Sequence, residues 1–130
     1  MDTILFIGAG NMGGAILKGL VSANADAKET LAIYEVNDNT AKAIMAETGV
    51  KRFASLAEAG EWASIIVVGV KPQIFSAVSK ELKQFTDSKL FISIMAGVTV
   101  QRMSEEIGFA NDFVRTMPNI PLTVGKGAIA

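Results

Sequence analysis

Thr3-Ile4-Leu5-Phe6-Ile7-Gly8-Ala9-Gly10-Asn11-Met12-Gly13-Gly14-Ala15-Ile16-Leu17-Lys18-Gly19-Leu20 decides the fold of this chain. A short apolar run reads as a buried strand. A G-x-G-x-x-G turn follows it, and apolar residues at helical spacing follow the turn. Each glycine of the turn has its own reason. Gly8 permits the tight bend, Gly10 lets the backbone approach a pyrophosphate, and Gly13 lets the helix pack close to the strand. The helix N-terminus offers unpaired N–H groups and the positive end of its dipole to phosphates. Glycines also cluster in ordinary β-α turns. The strand before and the helix after make Gly8, Ala9, Gly10, Asn11, Met12 and Gly13 a candidate dinucleotide turn.

Strand and helix signals alternate along the rest of the chain. Thr3–Ile7 is the first strand and Asn11 to about Ala23 the first helix. Thr30–Glu35 reads as a second strand. Asp38 or Asn39 can cap a helix that Gly49 ends. Val50–Ala54 is a short third strand, and Ser55 opens S-x-x-E with Glu58, a capping-box pattern. Ala63–Val70 is a fourth strand, and Pro72 suits the first turn of a helix reaching about Phe85. Lys89–Met95 is a fifth strand, Thr99 caps a helix with Arg102, Met103 and Ile107 near one face, and Asp112–Met117 is a sixth strand. Six strands with helical crossovers predict one α/β domain over residues 1–130. Its expected form is a doubly wound parallel sheet of Rossmann type, in strand order 3-2-1-4-5-6. Pro118-Asn119-Ile120-Pro121 and Val124-Gly125-Lys126-Gly127 begin a further pattern, so a truncated domain end is expected at Ala130.

Composition narrows the chemistry. Half of the 130 residues are hydrophobic and mean hydropathy is +0.38, yet no apolar run approaches the ~18 residues of a membrane span. Parallel strands buried on both faces account for such apolarity, as does a surface that expects a partner. The net charge is −1, with no basic stripe for nucleic acid and no lysine-rich helix for a membrane surface. Cysteine and histidine are both absent. That removes thiol nucleophiles, disulfides, the commonest metal ligands and the commonest general base, and no metal site is expected. Chemistry must come from a cofactor, a carboxylate, Lys or Tyr, or from residues outside this sequence. Met1-Asp2-Thr3 lacks the basic start of a signal peptide, so the cytoplasm is the expected compartment.

In an open α/β sheet, ligands lie beyond the carboxyl ends of the strands. The second strand ends at Glu35, about 22 residues after Gly13, where an acid accepts hydrogen bonds from an adenosine ribose. A carboxylate there opposes a 2′-phosphate: two unit charges ~4 Å apart repel by about 4 kcal/mol at an effective dielectric of ~20. The lean is therefore toward NADH, although a turned-away Glu35 escapes most of that repulsion. After the fourth strand come Val70, Lys71, Pro72 and Gln73; Lys71 is either a cofactor contact or an exposed lysine. After the fifth, Ala96 and Gly97 leave room for a flat ring. After the sixth, Asn119 can bind a carboxamide or carboxylate, or simply make a turn between two prolines.

Taken together, four segments resemble the N-terminal domain of the pyrroline-5-carboxylate reductases, the last enzymes of proline biosynthesis. They are F-I-G-x-G-N-M-G at Phe6–Gly13, V-K-P-Q at Val70–Gln73, A-G-V-T at Ala96–Thr99 and R-T-M-P-N-I-P at Arg115–Pro121. The resemblance covers nearly the whole chain in order and spacing. It implies an NAD(P)H-dependent oxidoreductase, using NADPH or NADH, that passes hydride to a small imine substrate to give L-proline. It implies that Gly8 to Gly13 wrap the pyrophosphate and that Ser55 lies near the adenosine. Val70, Lys71, Pro72 and Gln73 would line the cofactor, Ala96 and Gly97 would flank the nicotinamide, and Met117, Pro118 and Asn119 would form the substrate-pocket floor. Glu35 departs from the family's small polar residue, and Ile120 from its usual Thr. The family's C-terminal helical domain, which carries the homo-oligomer interface and most of the substrate site, has no counterpart in these 130 residues. The catalytic residues are expected there, and this chain alone is expected to turn over negligibly. Two other readings fit the glycine turn: a free-standing dinucleotide-binding regulatory module, and a reductase of another small substrate such as a β-hydroxyacid.

Overall fold

The computed structural model describes residues 2–84, 89–95, 100–107 and 112–115, with side chains for all of these except Asn11, Pro72, Val100 and residues 112–115. Six parallel strands form one sheet: β1 (Ile4–Ile7), β2 (Leu31–Tyr34), β3 (Lys51–Arg52), β4 (Ile65–Val68), β5 (Leu90–Ser93) and β6 (Asp112–Arg115). Their order is β3-β2-β1-β4-β5-β6, as the alternation of signals predicts. The helices between them are α1 (Asn11–Ala23), α2 (Asp38–Thr48), α3 (Leu56–Trp62), α4 (Pro72–Leu82) and α5 (Val100–Ile107).

The pleat sorts the apolar residues between two cores. Leu5, Ile7, Ala32, Ile66, Val68 and Phe91 face one side, where α3, α4 and α5 cover them with Leu56, Phe75, Leu82 and Met103. Phe6, Leu31, Ile33, Val67 and Ile92 face the other, against Leu17 of α1 and Ala41 and Ile44 of α2. Both faces of the sheet carry buried apolar residues. The continuous apolar strands and the high hydropathy follow from that. Among the described residues, no helix is long and apolar enough to cross a membrane.

Several boundaries differ from the sequence reading. Strands β1 to β5 are shorter than expected; β3 keeps only two residues, which pair only with β2. As an edge strand it has one neighbour, and its polar Lys51-Arg52 pair gains little from further ladder bonds. Helix α2 is capped by Asn37, which accepts from the Thr40 N–H at 3.0 Å, and not by Asp38 or Asn39. Its C-terminus does end at Gly49, in the left-handed conformation at φ 75°. Ser55 caps α3, accepting from the Glu58 N–H. A 3-10 helix at Ala25–Thr30, with no apolar periodicity to announce it, links α1 to β2.

Helices α4 and α5 are joined by a polar staple above their apolar contact. The buried Ser79 hydroxyl lies 3.1 Å from Glu106 Oε1, and Arg102 Nε donates to Glu106 Oε2 at 2.7 Å. Burial pushes the Glu106 carboxyl up, but the hydrogen bonds from Arg102 and Ser79 and the Arg102 charge outweigh it. The group sits below its ordinary 4.5. A carboxyl whose pKa falls on folding stabilises the fold above its unfolded value, and that stability is lost as pH drops through the folded value. The pair is partly exposed, so its worth is of the order of an exposed ion pair, about 0.2–1 kcal/mol. Glu106→Gln is expected to lower unfolding stability by that amount at pH 7, with the difference shrinking toward zero below pH 4.5; urea unfolding at pH 7 and pH 3 checks it. An equal deficit at both pH values contradicts the charge assignment.

Candidate functional site

The site is built where the strand order reverses, between β1 and β4. Gly8 leaves β1 with φ +85°, and a Cβ there would stand 2.9 Å from the Gly69 carbonyl oxygen. The Gly8 N–H donates to the Tyr34 carbonyl at 3.0 Å, and the Gly69 N–H to the Ile7 carbonyl at 2.8 Å. A Cβ on Gly13 would lie 2.6 Å from the Gly8 carbonyl oxygen, so only glycine lets α1 start this close to β1. Gly10 is the contrary case. A Cβ there would meet nothing within 4 Å, and the residue is exposed. Gly10 therefore faces open space at the mouth of α1, where a ligand's backbone-wide approach needs the missing side chain. It caps α1 with no side-chain hydrogen bond, and the first helical bond runs from the Gly14 N–H to its carbonyl at 2.7 Å. The N–H groups just ahead of Gly14 lie in the unsatisfied first turn that attracts anions.

Glu35 stands just past the carboxyl end of β2, where a ribose acceptor is expected. Its Oε1 accepts from the Ala9 N–H at 2.8 Å and its Oε2 from the Asn37 N–H at 3.0 Å. The carboxylate therefore joins the carboxyl end of β2 to the glycine turn. A carboxylate has about four acceptor sites. Those left over suit the vicinal hydroxyls of a ribose, while the charge opposes a phosphate at the same place. Beside it lies a cleft of about 380 Å3 lined by Tyr34, Glu35, Val36, Arg52, Phe53 and Ala54. That volume falls in the range of roughly 300–1,000 Å3 usual for small-molecule sites. Val36 is 78% exposed at the cleft, an apolar surface open to a flat ring. These features fit a dinucleotide: an open anion-binding turn, an acceptor at the ribose position and a partly apolar cleft beyond it.

The remaining sequence-predicted positions divide. Ala9 is buried and Met12 half-buried at the start of α1, whose first residue is Asn11. The Ser55 hydroxyl is engaged in capping α3, next to the cleft residue Ala54. Val70 packs against the core, whereas Lys71 and Gln73 are exposed on either side of Pro72, the first residue of α4. Ala96, Gly97, Met117, Pro118 and Asn119 lie outside the described residues. Two contributors were not singled out from sequence. Gly69 abuts Gly8 at the switch point; a glycine closing an apolar strand is the signal that marks such an approach. Arg52 reaches the cleft from β3, and no spacing in the sequence announces that.

Known proteins share this arrangement. The family described as NADP oxidoreductase, coenzyme F420-dependent, matches residues 3–97. The pyrroline-5-carboxylate reductase of Methanosarcina acetivorans is 35% identical over 124 residues, covering 95% of this chain and 46% of the relative. That of Escherichia coli is 33% identical over 123 residues, covering 94% and 46%. Among solved structures, the Coxiella burnetii pyrroline-5-carboxylate reductase superposes with a TM-score of 0.85 at 30% identity, covering 92% of this chain and 45% of that one. The Plasmodium falciparum pyrroline carboxylate reductase with NADP bound gives 0.82 at 34% identity, covering 97% and 45%. The chain spans about half the length of the curated relatives it matches. It belongs to the matched NADP oxidoreductase family, and its aligned residues correspond to the N-terminal dinucleotide-binding domain of the pyrroline-5-carboxylate reductases.

Proposed function

We propose that this chain is the NAD(P)H-binding domain of an imine reductase that converts 1-pyrroline-5-carboxylate to L-proline. The observation that carries the reading is the open Gly10 position at the mouth of α1, flanked by the Glu35 carboxylate on the Ala9 N–H. When bound, the reduced nicotinamide supplies the hydride. The chain's own part is to hold and orient that ring. The turn from Gly8 to Gly13 wraps the pyrophosphate, which the first-turn N–H groups just ahead of Gly14 grip, and Glu35 takes the adenosine ribose with Ser55 nearby. Val70, Lys71, Pro72 and Gln73 line the path to the nicotinamide, which Ala96 and Gly97 flank. Met117, Pro118 and Asn119 floor the pocket for the imine. The curated relatives are about twice as long; in this reading the part beyond the matched region completes the substrate site and pairs protomers, and the enzyme works in the cytoplasm.

Calorimetric titration with NADH and then NADPH tests the binding reading. NADH is expected to bind tighter, because Glu35 faces the 2′ position. Glu35→Ser is expected to narrow the difference by roughly tenfold or more, since a single charge repulsion of about 4 kcal/mol far exceeds the 1.4 kcal/mol of a tenfold ratio. Failure of both cofactors to bind refutes the reading.

The two glycines separate fold from binding. Gly10→Ala is expected to leave the melting temperature nearly unchanged while weakening either cofactor roughly 10- to 100-fold, because its methyl meets only the ligand. Gly13→Ala drives a methyl into the Gly8 carbonyl and is expected to cost about 1–3 kcal/mol of fold stability. Thermal unfolding of both variants, set beside their titrations, checks the contrast. Undiminished binding by Gly10→Ala removes the pyrophosphate from this turn.

A further inference from the structure

Among the described residues that line the cleft, Arg52 is the one cation, and its contacts run inward. It stands beside Ile33 in the parallel register of β2 and β3, two residues before Glu35, and its side chain reaches forward along β2. Nε and Nη2 both donate to the Glu35 carbonyl oxygen, at 3.2 and 2.6 Å. Nη2 also donates to Asp38 Oδ1 at 2.9 Å, at the first residue of α2. The guanidinium thus spans the β2–α2 turn from its first residue to the start of the helix. Its planar fork suits such a two-point hold. The same turn carries the Glu35 carboxylate, whose other attachments are the Ala9 and Asn37 N–H groups. Arg52 thus holds the Glu35 backbone from β3, while the Glu35 side chain holds the glycine turn, so that one residue links the two sets of charge-assisted hydrogen bonds.

We propose that Arg52 is a positioning residue that sets discrimination between NADH and NADPH by holding Glu35 in its ribose-facing place. The inference rests on the dinucleotide reading above and deepens it. A cation in an adenosine cleft would ordinarily suggest a ligand for the 2′-phosphate. The local balance argues otherwise. Arg52 is already paired with Asp38, and with Glu35 the three groups carry two negative charges against one positive. Its side chain is only 27% exposed, with the hydrogen-bonding edge turned to the Glu35 carbonyl. It acts through Glu35 and not on the cofactor.

The test replaces Arg52 by Gln in the full chain and reads two quantities. In the free protein, hydrogen exchange of the Ala9 amide is expected to accelerate roughly tenfold as the Glu35 carboxylate loosens. In titrations, NADH is expected to weaken roughly tenfold while NADPH holds or gains, so that their ratio collapses. Arg52→Lys keeps the charge and loses the fork. It is expected to move both readouts in the same direction, and it serves if the Gln variant fails to fold. A selective loss of NADPH overturns the proposal and makes Arg52 a phosphate ligand. An unchanged ratio, or equal weakening of both cofactors with a lowered melting temperature, also overturns it. Should the unaltered chain bind neither cofactor, the functional reading fails, while Ala9 exchange in the variants still decides the coupling.

Discussion

The close approach of Gly8, Gly13 and Gly69 is the contact on which the rest of the molecule depends. The Gly8 carbonyl occupies the space a Gly13 Cβ would need, and the Gly69 carbonyl the space a Gly8 Cβ would need. The end of β1, the end of β4 and the start of α1 are therefore locked backbone to backbone. The Ile94 side chain fills what remains, with its Cδ1 2.8 Å from the Cβ position of Gly69 and 3.9 Å from that of Gly13. Interiors packed at this density transmit displacement. A side chain at Gly13 would push α1 off the sheet, one at Gly8 would press on the Gly69 backbone, and one at Gly69 would displace the Ile94 side chain. Because β1 and β4 are also the strands between which the winding reverses, the tightest backbone contact and the binding crevice coincide.

Much of this was legible in the chain itself, because the physics behind it is local. Strands buried on both faces need unbroken apolar runs, and helices between them need caps, so six strands in the order 3-2-1-4-5-6 could be read before any coordinates. Gly49 and Ser55 were legible as caps for the same reason. Asn37 was not. Asn37, Asp38 and Asn39 are all good N-cap types in succession, and only the exit direction of β2 selects the first. The 3-10 helix at Ala25–Thr30 has no buried residue and so no apolar pattern to read. The shortness of β3 comes from its place at the sheet edge, a tertiary fact that strand propensity does not carry.

The site shows the same division more sharply. The glycine turn and Glu35 belong to one β-α-β unit, and their spacing along the chain is enough to single out both as candidates. Gly69 and Arg52 act across the sheet. Gly69 matters only because β4 lies beside β1, and Arg52 only because β3 lies beside β2. Neither relation is written in the distance along the chain from Gly8 to Gly69 or from Glu35 to Arg52. What spacing also left open was where the Glu35 carboxylate points. With one oxygen on the Ala9 N–H and the other on the Asn37 N–H, it is held before any ligand arrives, and little of its rotamer freedom remains to be lost on binding.

On the proposed reading, that preorganisation bears on cofactor choice in a way that close superposition of the folds does not reveal. A TM-score of 0.82 to a relative with NADP bound reports that the strands, helices and glycine turn occupy equivalent places. The pyrophosphate is common to both nicotinamide dinucleotides, and the backbone that grips it is indifferent to a 2′-phosphate. Discrimination is a difference between two affinities and resides in whatever group faces the 2′ position. In the function proposed above, that group is the Glu35 carboxylate, fastened at both oxygens to the backbone. It cannot swing aside for a phosphate without leaving the Ala9 and Asn37 N–H groups to find other partners, so the repulsion and the lost hydrogen bonds oppose NADPH together. A single acidic residue, once anchored to the turn it borders, can thus set a preference that neither the glycine motif nor the fold encodes.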